Sequence, residues 1–134
     1  MKIDKEDQKL LAIWAAGCAE RVLPYFEKEY PEDDRPRKAI EYARGWARTG
    51  VLKMPEVRKA ALDAHAAARK STVPAATYAA RAAGQAASVP HVARHALGVV
   101  YYAAKCLSPD KWEKERKWEL NHLPKHLRSF VFPK

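Results

Sequence analysis

Residues 60–87 read AALDAHAAARKSTVPAATYAARAAGQAA, and alanine fills 14 of these 28 positions. The stretch is not low-complexity, because Arg, His, Tyr and Gln recur within it. Alanine is the best helix former, and small side chains let helix axes approach toward the short end of the usual ~8–10 Å separation. Ser71-Thr72 followed by Pro74 breaks the run with a helix-start signal. Two closely packed helices are therefore expected here, the second central in a bundle, since Arg81 is its one charged residue between Val73 and Val89.

The same punctuation recurs outward from that centre. A first helix should follow Asp4 and run to about Glu29, kinked or restarted at Pro24. A second should follow Asp33-Asp34-Arg35, with Pro36 in its first turn and its end near Gly50. The doublet Asp33-Asp34 reads as its cap. A third should open at Pro55-Glu56 and end near Lys70, and a fourth should run from Pro74 to about Val89. A fifth should follow Ser88 and Pro90 and end near Leu107, and a sixth should follow Ser108-Pro109 and end near Asn121. Pro124 to Ser129 adds a last short turn. No run shows sustained Val/Ile/Thr alternation, so strands are not expected. The expected fold is all-α: one domain over residues 1–134, a compact bundle of five to seven helices with short loops.

Charge is unevenly spread. The formal net charge is +9, yet residues 1–34 hold five Lys/Arg against nine Asp/Glu. Residues 35–104 hold twelve against three. A basic body behind an acidic arm implies an anionic partner, or an intramolecular match between the two. No segment has the roughly 20 apolar residues of a membrane span, and the N-terminus lacks a signal-peptide core, so a cytoplasmic protein is expected. Cys18 and Cys106 form no CxxC and read as unpaired thiols in apolar runs.

Helical rotation sorts the polar groups. On the second helix Ile40, Ala43, Trp46 and Ala47 face one way, and Arg37, Glu41, Arg44 and Arg48 the other. That second side reads as a solvated face with Arg–Glu pairs three and four apart, or as a basic ridge for an acidic partner. On the third, Arg58, His65 and Arg69 form a stripe opposite Glu56, Lys59, Asp63 and Lys70, so Arg69 is expected to face protein or a cleft. The fourth carries a narrow strip of Thr77, Tyr78, Arg81, Gln85 and Ser88, which needs hydrogen-bond partners. On a fifth helix from Pro90, His91, His95 and Tyr102 would share one side.

These groups allow three readings. The histidines are structural, bonded to backbone carbonyls or Tyr102; or they join Arg69, Arg81 and Gln85 in a pocket for an anion or a partner's carboxylate; or His65, His91 and His95 hold a metal. The metal reading is weakest. The residue after His91 is Val92, so HExxH is absent, and nearby arginines repel a cation. No nucleophilic triad, paired carboxylates or Gly-rich phosphate loop is visible. No catalytic residue and no cofactor is expected. Nucleic acid is a rival partner on charge alone, without a recognised module.

Seven stretches carry a family resemblance: Leu11–Ala16, Cys18–Pro24, Asp33–Ile40, Ala64–Arg69, Ala79–Ala86, His91–Ala96 and Trp118–Pro124. Together they resemble a bacterial family of immunity proteins, the type-five-like group. DDRPR at 33–37 and the two His-containing blocks are the most specific parts. The resemblance implies a small all-helical protein that binds and neutralises a cognate toxin domain without catalysis, with a homo-oligomer left open. The candidate partner- or anion-binding residues are Asp34, Arg35, Arg37, His65, Arg69, Arg81, Gln85, His91, His95 and Tyr102.

Overall fold

The structure, a computed structural model, describes residues 1–133. It is an all-helical bundle: α1 (Lys5–Val22), α2 (Pro24–Glu27), α3 (Arg35–Thr49), α4 (Met54–Lys70), α5 (Pro74–Ser88), α6 (His95–Lys105), α7 (Pro109–His122) and α8 (Arg128–Val131). A single 3-10 turn, Lys125–Leu127, precedes α8. Six of the helices have eleven residues or more, and no strand occurs among the described residues. No helix is long and apolar enough to cross a membrane.

Local chemistry accounts for most boundaries. Asp4 caps α1 reciprocally with Asp7: the Asp7 N–H donates to the Asp4 carboxylate at 2.8 Å, and the Asp4 N–H donates back. Pro24 does not merely kink α1; it starts a separate single turn, α2. Proline occupies the first or second position of α3, α4, α5 and α7, where its missing N–H has no partner to lose. Gly50 ends α3 at φ 68°, a left-handed conformation that costs a glycine little. The Asp33-Asp34 doublet departs from expectation in detail. Asp34 occupies the cap position of α3 without a side-chain capping bond, its carboxylate pairing instead with Lys38 at 3.2 Å, while Asp33 accepts from the Arg35 N–H at 3.1 Å.

Helix α5 is the axis. It packs against α1, α2, α3, α4 and α6, and eight of its residues, all Ala or Gly, are buried. Around it lie Leu11, Val22, Leu23, Phe26, Ile40, Val89 and Val99, the large side chains of the core. Cys18 is buried and Cys106 half-buried, both free.

The fifth helix starts later than the sequence suggests. The segment after Ser88 is a run of turns: the His91 N–H donates to Ser88 O at 3.1 Å, and the His95 N–H to Val92 O at 3.1 Å. The chain must reverse to lay α6 back along α5. Pro90, which has no N–H to give a continuing helix, sits inside that reversal. His91 therefore lies in the connection, not on α6, and the expected shared helical side of His91, His95 and Tyr102 does not form.

Helix α7 docks through long side chains. The Trp14 indole N–H donates to the Glu119 carbonyl at 2.9 Å, Arg21 grips Glu115 bidentately at 2.6 and 2.9 Å, and the Arg21 guanidinium lies 4.2 Å over the Trp118 ring. The same docking buries Glu119 completely, and neither carboxyl oxygen has a partner. Burial, then the Glu115 charge, pushes its pKa from 4.5 up to about 8.

The native fold thus keeps a proton that the unfolded chain releases. Stability from this group is full below the ordinary value of 4.5 and is lost as pH rises toward about 8. Glu119→Gln should remove that slope. Thermal melts in a pH series should show the variant gaining on wild type by several degrees at pH 8, on the order of a few kcal/mol, and by little at pH 5.

Candidate functional site

The polar strip of α5 meets α4 on one side and α6 on the other. Arg81 can only donate, so its contact with His65 Nδ1 at 2.9 Å puts the His65 proton on Nε2. The His95 contact runs the other way. Its Nδ1 lies 2.7 Å from Gln85 Oε1, so Nδ1 carries the proton and Nε2 is left as an acceptor. Two neutral imidazoles of opposite tautomer result. Burial lowers the His65 pKa to about 4, with Arg81, Arg69 and His95 adding to the shift. Burial, then His91, lowers that of His95.

Two glycines make this arrangement possible by leaving space. A Cβ on Gly84 would stand 2.7 Å from Cε1 and Nε2 of His65, so the ring lies directly against α5 backbone. A Cβ on Gly98 would stand 2.7 Å from Gln85 Cδ. Thr77 Oγ1 donates to Val73 O, Ser88 Oγ to Gly84 O, and Tyr78 stacks on Tyr102 at 6.2 Å between centroids.

Outside these bonds lies an open depression of about 400 Å³. His65, Gln85, Ser88, His91 and His95 form its polar wall, and Val57, Ala61 and Leu62 of α4 form the apolar one. A second cleft, about 590 Å³, lies between α3 and α4 and is lined by Asp34, Arg35, Lys38, Tyr42, Glu56 and Lys59. Helix α4 is the ridge between the two. Leu62, on that ridge, is 60% exposed, and Val92, in the turn beside His91, is 40% exposed.

The ten expected site residues therefore divide. His65, Gln85, His91 and His95 line one depression, with Arg81 held to His65 alongside it. Asp34 and Arg35 line the α3–α4 cleft. Arg37 is elsewhere, reaching Glu27 at 2.7 Å and clipping α2 to α3. Tyr102 is against Tyr78 and Tyr101, away from the histidines. Arg69 is exposed at the end of α4 rather than turned into protein, with no ion pair among the described residues. The histidines bond neither to Tyr102 nor to backbone carbonyls in this group; Arg81 and Gln85 take those places. Among the described residues no three His, Cys, Asp or Glu side chains converge to hold a metal.

Much of the acidic arm is paired internally. Glu20 takes Arg44 at 2.9 Å and Arg37 at 3.8 Å, Asp33 takes Arg35 at 2.7 Å, and Asp7 takes His126 at 2.8 Å. On α3, then, Arg37 and Arg44 reach carboxylates of α2 and α1 rather than Glu41 on their own face. Lys53, Arg58, Arg69, Lys70 and Arg94 are left exposed and without ion pairs among the described residues.

A family model described as "Imm-5 like putative immunity protein" matches residues 1–126. The chain belongs to that family. No curated protein and no solved structure matches it. All ten expected site residues lie inside the Imm-5 like match, whereas Leu127 to Pro133, including α8, lies outside it. Leu62 and Val92 escaped the sequence reading because a lone apolar residue on an amphipathic helix or turn reads as core. Only the packing shows it standing outward.

The imidazole geometry has a titration signature. Because His65 sits below its ordinary 6.5, the stability it carries is present above that value and is lost as pH falls toward about 4. Gly84→Ala should push the ring off α5, so that its NMR titration returns toward 6.5. A net loss on the order of 1 kcal/mol should follow, the overpacking outweighing the gain in helix propensity.

Proposed function

We propose that this chain binds a cognate toxin domain and neutralises it by contact, with no reaction of its own, as a cytoplasmic protein. The observation that carries this reading is the match to an immunity-protein family over residues 1–126. The site chemistry supports it. The two imidazoles flanking α5 are neutral and already committed to Arg81 and Gln85, an arrangement suited to fixed donors and acceptors rather than to proton transfer near neutral pH.

The docking face is the α4 ridge with the depressions on its two flanks. An exposed leucine between polar-rimmed hollows is the pattern of an interface anchor. The surrounding cations, Arg58, Arg69 and Lys70, have no internal carboxylates to satisfy, so the complementary toxin surface is acidic. His65, His95 and Gln85 meet its polar groups, and Asp34 and Arg35 extend the face across the α3–α4 cleft.

Co-expression with a toxin encoded beside this chain tests both parts. Wild type should restore growth and capture the toxin in a pull-down. Leu62→Asp should keep the wild-type melting temperature yet weaken binding at least about tenfold. Protection supplied by an unrelated neighbouring gene, with no capture here, would refute the function. Undiminished binding by Leu62→Asp and Arg58→Gln would refute the face.

A further inference from the structure

A cleft of about 880 Å³ opens at the C-terminal end of the bundle, far along the chain from the α4 ridge. Its walls include Arg116 of α7, Lys125 and His126 of the 3-10 turn, and Arg128, Ser129 and Phe132 at α8. Four basic side chains thus converge from three consecutive elements. Among the described residues Arg116, Lys125 and Arg128 have no ion pair. The Arg116 guanidinium lies 4.9 Å over the Phe132 ring, which holds it at the cleft without neutralising it. The Arg128 Nε is shielded from solvent and has no acceptor among the described residues, an arrangement folded proteins rarely leave unanswered.

Two carboxyl groups approach from behind. Asp7 is spent on His126 at 2.8 Å. Glu119 is near enough for Arg116 to act on its titration, yet burial keeps it protonated up to about 8. At neutral pH Glu119 therefore adds no negative charge, and the single Asp7 carboxylate is outnumbered by Arg116, Lys125 and Arg128.

We propose that this cleft binds a phosphate-class oxyanion carried by a small molecule. Cationic donors arriving from several elements match a group that accepts in three dimensions. A planar carboxylate would use one guanidinium fork and leave the other cations unanswered. The proposal stands apart from toxin binding. Arg128, Ser129 and Phe132 lie beyond the family match, and no toxin enters its test.

Isothermal titration of the full chain with pyrophosphate, beside acetate at equal ionic strength, decides it. Saturable one-site binding is expected, weakened at least tenfold in Arg116→Gln and in Arg128→Gln and unchanged in Arg48→Gln on α3. Arg128→Lys, which keeps the charge but not the fork, should fall between and guards against a Gln variant that misfolds. A nucleoside diphosphate that binds no tighter than pyrophosphate means the phosphates alone are read; tighter binding means the carrier contributes too. Absence of saturation, equal competition by acetate, or equal weakening by Arg48→Gln overturns the proposal.

Discussion

Everything in this bundle depends on how little room α5 occupies. Its buried positions are alanine and one glycine, so five other helices close upon it with small side chains between. Close approach is usually an apolar matter. Here it also brings polar side chains of α4, α5 and α6 within reach of one another at the margin of the core. His65 can lie flat on α5 only because residue 84 has no Cβ, and Gln85 can reach His95 only because residue 98 has none. A larger residue at either place would separate the pairs before any question of ligand or partner arose.

The elements that the sequence made legible are those whose signals are local. Proline in a first turn, Asp4 ahead of α1 and Gly50 after α3 each act within a few residues, and each boundary lies close to where its chemistry put it. The late start of α6 was not legible, because a reversal is a requirement of the chain's path and not of any residue in it. His91, His95 and Tyr102 share a side only on a helix that begins at Pro90, and residues 90–94 instead form the turns that link α5 to α6. The burial of Glu119 was equally hidden. A glutamate on a charged helix such as PDKWEKERKWELNH reads as solvent-facing, and only the docking of α7 on Trp14 and Arg21 reverses that.

The intramolecular match that the sequence left open is present in part. Glu20, Glu27, Asp33 and Asp34 of the acidic arm pair with basic side chains of α3, so the DDRPR element works as much as a clasp as a surface. Arg35 is bound at both backbone and side chain to Asp33, and Arg37 crosses to Glu27. Half-exposed pairs of this kind contribute modestly to stability, about 0.2–1 kcal/mol each. Their larger effect is on the outside, where the cations left over set the sign of what the protein meets.

The crowding around α5 also dictates where this molecule can change. A centre with no spare volume resists substitution by anything bulkier, so change in surface chemistry has to be written on the outer rims. The crest of α4 is open to such rewriting, since its exposed atoms take no part in the alanine seam. A helical frame built this way can vary along its surface while its interior stays fixed.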